Sequence, residues 1–307
     1  MTTFLRREFT GERSGPQVLI TAGVHGDEFE SIAAVNRLVR LFDTSPAGVP
    51  GFCGKLTLVP IVNEDAYRRG QRTGSDGLDL ARVCPGRSDG SPTEQIAREL
   101  SDLIATADFY IDLHTGGTTL SILPLVGYML HADRAVLDAQ RRMATAFGLP
   151  VVWGTTAAHE GRTLSVARDA GVPAIYAEYG GAATCDPAGV AAYVAGCQNM
   201  LGVVGCLPRT APRGHVRHCV EDDRPSSGHL QVQNPSPADG LFEPSVRLGD
   251  EVAASDQIGV VFDPLSDTSH VVSTPHAGIV LALRTFPRVR QGESVCVLLE
   301  LKPGVKP

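Results

Sequence analysis

Apolar residues follow two rhythms that alternate over the first two thirds of this chain. Residues 18–22 form a short continuous apolar run suited to a buried strand, and residues 29–42 follow with Ile32, Val35, Leu38, Val39 and Phe42 at helical spacing. Residues 56–62 are the next expected strand. Ser91, Pro92 and Glu94 then supply an N-cap, a first-turn proline and the reciprocal acid of a capping box, ahead of Ile96, Leu100, Leu103 and Ile104 on one helical face. Strands are expected at 109–113, 122–126, 151–153 and 173–178, separated by helices at 133–147 and 163–170. A long apolar helix runs from Asp186-Pro187 to about Leu207. Strands alternating with helices through short connections predict an α/β fold, a mixed sheet covered by helices on both faces, with ligand-bearing loops at the carboxyl ends of the strands.

The rhythm changes after Leu207. Residues 208–227 are rich in Pro, Arg, Ser and Asp and read as a linker, while beyond Gly228 short Val/Leu/Ile runs are punctuated by Gly240, Gly249, Gly259, Gly278 and Gly292. The expected organisation is a catalytic domain over 1–207 and a linker with a small all-β barrel over 208–307. Residues 190–207, the most membrane-like stretch, are interrupted by Gln198 and Asn199 and suit a buried helix better than a membrane span. Charge narrows the class further: 27 basic against 34 acidic side chains, with no basic run, argue against nucleic acid as a partner. The 7 cysteines contain no Cys-x-x-Cys pair, which excludes a thiolate zinc cage and suits a reducing cytoplasm. The first fifteen residues carry Arg6, Arg7, Glu8, Glu12 and Arg13 where an export signal would be apolar.

Candidate chemistry collects at the strand ends. His25 and Glu28, in Gly-Val-His-Gly-Asp-Glu, are three apart after the first strand, so a single turn could aim an imidazole and a carboxylate at one ion. Alone, the pair suits a surface histidine beside a helix-start acid better than a metal site. His114 ends another strand, and three such ligands would leave a fourth position for water, as in catalytic zinc sites. Asp112, two residues earlier on the same face, could orient an imidazole. Glu178 ends a third strand and could take a proton from the attacking water and hand it to a leaving amine. Arg68, Arg69, Arg72, Arg82 and Arg87 are a local basic excess in which some guanidiniums could hold a substrate carboxylate.

Taken in order, these segments resemble the succinylglutamate desuccinylase/aspartoacylase family, relatives of the zinc carboxypeptidases. The motifs are Gly-Val-His-Gly-Asp-Glu, Asn63 with Ala66 and Gly70-Gln71-Arg72, Asp79-Leu80-Ala81-Arg82 with Pro85-Gly86, Asp112-Leu113-His114-Thr115-Gly116, and Glu178-Tyr179-Gly180-Gly181. The resemblance spans about residues 17–205. It implies a zinc carboxypeptidase-like fold, one zinc per chain on His25, Glu28 and His114, Glu178 as general base and acid, and Arg72 and Arg82 on the substrate. It also implies a substrate role for Arg168, ten residues before Glu178. Ala81 departs from the family's Asp-Leu-Asn-Arg, and the missing amide argues against dicarboxylate substrates. The C-terminal segment resembles a biotinyl/lipoyl-type barrel-sandwich, but no Lys lies between Lys55 and Lys302, so no covalent cofactor is expected there.

The expected activity is that of a zinc amidohydrolase acting on a small N-acyl amino acid. A carboxypeptidase on short peptides, or a non-catalytic binding protein that kept the fold, are the alternatives. No membrane partner is expected, and a homo-oligomer is compatible with the sequence.

Overall fold

The computed structural model of the protein describes residues 4–43, 49–209, 216–230 and 233–300. Strands β1 (Arg7–Thr10), β2 (Arg13–Thr21), β3 (Cys53–Val59) and β4 (Phe109–His114) begin a sheet that continues with β5 (Leu120–Met129), β6 (Val151–Thr155) and β7 (Ala174–Gly181). The spatial order β1-β3-β2-β4-β7-β5 is parallel from β3 to β7, with β1 antiparallel at one edge and β5 antiparallel to β7. β3 stops at Val59, short of the expected end at Val62, because Pro60 has no N–H with which to continue the ladder.

Helices cover both faces. α1 (Phe29–Asp43), α5 (Arg134–Phe147) and α7 (Pro187–Val203) pack on one face, where Leu38, Phe147 and Met200 meet Ile20, Ile111 and Ile175 of the sheet. On the other face, α3 (Leu80–Val83), α4 (Pro92–Ala105) and α6 (Thr163–Asp169) bring Leu80, Leu100 and Leu164 against Leu19 and Tyr110. Each fully buried aliphatic side chain contributes roughly 1.5–3 kcal/mol, which is why continuous rather than alternating apolar runs mark these strands. Local signals set the helix starts. The Ser91 hydroxyl accepts from the Glu94 N–H while the Glu94 carboxylate accepts from the Ser91 N–H, and Asp133 and Asp186 cap α5 and α7. The apolar stretch from residue 190 lies in α7, and no described helix is long and apolar enough to cross a membrane.

The C-terminal third is all strand among the described residues, but it does not stand apart from the catalytic sheet. β8 (His218–Glu221) pairs in parallel with β6. Beyond it, β9 (Gly240–Pro244), β11 (Gln257–Asp263), β12 (Thr268–Ser273) and β14 (Arg288–Val289) form a separate four-stranded sheet in the order β12-β11-β9-β14. Three others, β10 (Glu251–Val252), β13 (Gly278–Arg284) and β15 (Cys296–Leu299), join the catalytic sheet, because β13 pairs with the first residues of β5. Phe242, Ile258, Val261, Val280, Val289 and Leu298 fill the space between these two groups of strands. The sheet therefore continues past the expected boundary at 207. Lys302 and Lys306 lie outside the described residues.

Candidate active site

Three neighbouring parallel strands, β2, β4 and β7, end on the same side and carry the candidate chemistry. His25 and Glu28 lie in the turn between β2 and α1. That turn is pressed onto α2 (Glu64–Arg69): Gly26 N donates to Gln71 O, and a Cβ on Gly26 would fall 2.0 Å from the Ala66 carbonyl carbon. Only glycine fits there, and the contact fixes where His25 points.

His25 Nδ1 lies 2.7 Å from Glu28 Oε1, and His114 Nδ1 lies 3.0 Å from Glu28 Oε2. One ligand atom from each of the three residues can be chosen so that all lie within 4.8 Å of one another. The outer nitrogens are occupied: His25 Nε2 is 3.0 Å from Asp79 Oδ1, and His114 Nε2 is 3.0 Å from Asp112 Oδ2. A carboxylate on each Nε2 keeps the proton there and turns the Nδ1 lone pair toward the common point, the arrangement of a histidine–zinc centre. Tetrahedral zinc at ~2.0–2.1 Å from its ligands needs them about 3.3 Å apart, which three donor atoms within 4.8 Å of one another can reach by small side-chain adjustments. The donor set therefore fits zinc.

Electrostatics supports the same reading. Burial opposes ionisation of Glu28, yet the two imidazoles outweigh it and bring its carboxyl down to about 2. Burial also opposes ionisation of Asp112, but His114, Thr163 and Thr21 hold it below the usual carboxylate range. For His114, burial disfavours the charged form, while Asp112 and Glu28 reverse that and raise it well above the ordinary value. Around the two imidazoles, Glu28, Asp79 and Asp112 thus make a local negative field that a cation would satisfy, in contrast to the arginine-lined part of the cavity.

Glu178 on β7 lies opposite His114 in the β4–β7 register. It is buried, its Oε2 has no hydrogen-bond partner, and burial pushes its carboxyl well above the usual range. A carboxyl with one oxygen left unpartnered can take up and return a proton. It lines a cavity of about 160 Å³ together with His25, Glu28, His114, Arg72 and Arg82. Arg72 is held by Asp79, and Arg82 Nη1 donates to Ala81 O.

The structure does not bring Arg168 to this cavity. Its guanidinium is engaged by the carbonyls of Ala157 and His159 and by Glu160 and Asp169. Arg162, at the N-cap of α6, lines the cavity instead, and burial and Arg82 lower its pKa. The position ten residues before Glu178 therefore faces away from the cavity, while the N-cap position of α6 faces it. A guanidinium at a cap position, where Ser, Thr, Asp or Asn is preferred, is the signal that could have marked Arg162. Asp79 was the other omission: it belongs to a recognised motif, but its bond to His25 crosses 54 positions and is invisible in the sequence.

Gly228 and Leu230, from the segment after β8, complete the cavity wall. They are held in place because Thr156 N donates to Ser227 Oγ, His159 Nε2 to Ser227 O, and Arg162 Nη1 to Gly228 O.

Known proteins are similar to this chain in sequence and fold. Residues 14–204 match the succinylglutamate desuccinylase/aspartoacylase catalytic domain. The chain is 32% identical over 305 residues to the N-alpha-acetyl-L-2,4-diaminobutyric acid deacetylase of Halomonas elongata, covering 94% of this chain and 83% of that protein. The product-bound structure of the ectoine utilization protein EutE (DoeB) from Ruegeria pomeroyi superposes with a TM-score of 0.85 at 28% identity, covering 95% of this chain and 87% of that one. A succinylglutamate desuccinylase/aspartoacylase from Rhodobacter sphaeroides gives 0.84 at 26%, covering 96% and 88%. With the motifs in order, their residues gathered at three strand ends, and a family match over more than half its length, the chain belongs to the succinylglutamate desuccinylase/aspartoacylase family.

Proposed function

We propose that the protein is a zinc-dependent deacylase that hydrolyses the amide of a small N-acyl amino acid. The observation that carries this reading is the convergence of His25 Nδ1, His114 Nδ1 and the Glu28 carboxylate beside the partnerless Glu178 Oε2. His25, Glu28 and His114 would hold one zinc per chain, which supplies Lewis-acid polarisation of a carbonyl and lowers the pKa of water. Asp79 and Asp112 orient the two imidazoles. Glu178 Oε2 accepts the proton of the attacking water and returns it to the leaving nitrogen. Arg72, steadied by Asp79, polarises the acyl carbonyl, and Arg82 and Arg162 hold the substrate carboxylate, a division supported by the presence of all three guanidiniums in the cavity lining. The segment after β8 completes the pocket through Gly228 and Leu230. The deacetylase activity named for the Halomonas elongata relative agrees with this assignment.

A side-by-side panel of N-acetyl amino acids and dipeptides, read as amine release, tests it. Faster turnover of the N-acetyl amino acids is expected. Dipeptides cleaved more than tenfold faster would make the protein a carboxypeptidase, and no release from either class would remove the enzymatic reading.

A further inference from the structure

The cavity beside Glu178 is lined by two kinds of surface. Arg82 and Arg162 sit together, since the backbone of Arg82 packs on Gly161, where a Cβ would lie 2.4 Å from the Arg82 carbonyl oxygen. Arg72 adds a third guanidinium. Another part of the wall is carbon: Leu120 and Ile122 at the start of β5 and Leu230 from the segment after β8 belong to one apolar cluster, on which Tyr176 also packs, while Thr115, Thr119, Thr155 and Thr163 add hydroxyl-bearing side chains to the lining. Ala81 adds a methyl group to the lining.

The lining contains two acids, Glu28 and Glu178, and both have other work, as metal ligand and proton carrier. An ammonium group on the substrate would be buried among three guanidiniums without a carboxylate of its own, and such a charge is costly to desolvate. A second carboxylate placed on Leu120, Ile122 and Leu230 would give up its water for no cation and at most the hydroxyls of Thr119 and Tyr176 in return. An aliphatic group there displaces water at no polar cost.

Tetrahedral geometry identifies that group. In an N-acyl amino acid the carboxylate, the nitrogen and the side chain leave the same carbon. With the carboxylate on Arg82 and Arg162 and the nitrogen directed to Glu178, the side chain is what remains for the apolar surface. Building on the deacylase reading, we propose that this chain selects N-acyl amino acids with an uncharged aliphatic side chain of about the size of leucine or methionine. It differs in this from its Halomonas elongata relative, whose named substrate is a diamino acid.

The test is kcat/KM of the full-length, zinc-loaded protein on six compounds: the N-acetyl derivatives of L-leucine, L-methionine, L-alanine, L-2,4-diaminobutyrate and L-aspartate, with N-hexanoyl-L-alanine as the sixth. Leucine or methionine should lead alanine by about tenfold or more, since even one methylene in an apolar pocket is worth that much, and should lead the two charged substrates by ~100-fold. Leu230→Ala should lower the leucine-to-alanine ratio several-fold. Diaminobutyrate or aspartate as the best substrate overturns the proposal while leaving the deacylase reading intact. N-hexanoyl-alanine as the best substrate also overturns it, because the apolar surface would then receive the acyl chain. No turnover of any compound overturns both.

Discussion

Asp112→Asn isolates the part of the site that holds the metal ligands rather than the metal. Asp112 is fully buried: Oδ1 accepts from Thr21 Oγ1 at 2.8 Å, and Oδ2 accepts from Thr163 Oγ1 at 2.6 Å and faces His114 Nε2 at 3.0 Å. An asparagine can keep this geometry if its carbonyl takes the Oδ2 place and its NH2 the Oδ1 place. Thr21 Oγ1 then accepts instead of donating and can pass its own hydrogen to Tyr110, whose hydroxyl lies 2.8 Å away. What is lost is charge. A hydrogen bond to an ionised group contributes ~1.5–3 kcal/mol and one to a neutral group ~0.5–1.5, so His114 Nε2–H loses about 1–2 kcal/mol of support. At about 1.4 kcal/mol per decade, zinc affinity should fall about 5- to 30-fold, overlapping the ~10- to 100-fold usual for such partners. Chelator competition at fixed pH measures this directly, with thermal unfolding as the control that the fold persists. A zinc Kd within twofold of the parent would refute the claim that Asp112 acts through His114.

Three further outcomes are expected. Glu178→Gln should retain zinc and lower turnover by at least ~100-fold, the low end for general acid/base catalysis; turnover within threefold of the parent would place the base elsewhere. Arg162→Ala should raise KM for an N-acyl amino acid by tenfold or more, as expected for a lost charge-assisted hydrogen bond of ~1.5–3 kcal/mol, whereas Arg168→Ala should leave KM near the parent value; the reverse order would restore Arg168 to the substrate. Intact-mass measurement should give the unmodified chain, and an increment matching biotin or lipoate would contradict the reading of the C-terminal strands.

The fold was legible where apolar runs were long and punctuated. Strands β2 to β7 and helices α1, α4, α5, α6 and α7 follow from continuous Val/Ile/Leu stretches, helical apolar spacing, the Ser91 capping box and the Asp-Pro start of α7, whereas the short α2 and α3 were not expected. Two short edge strands escaped: Arg7-Glu8-Phe9-Thr10 has no apolar period, and β8 sits in a polar excursion, so pairing with β3 and β6 defines them rather than their own composition. For the same reason the junction of β13 with β5 is not readable locally, because it joins residues more than 150 positions apart. In the site, His25, Glu28, His114 and Glu178 were legible because strand ends on one edge of a sheet converge. Arg162 and Asp79 were not, since each acts through a contact that only the folded chain creates.

Metal analysis of the purified protein beside its His114→Ala variant, with amine release from N-acetyl amino acids followed on the same samples, tests the central claim most directly. The account predicts about one zinc per chain and measurable release in the parent, and loss of both in the variant. A variant that keeps the parent's zinc content and releases amine at the parent's rate would contradict it.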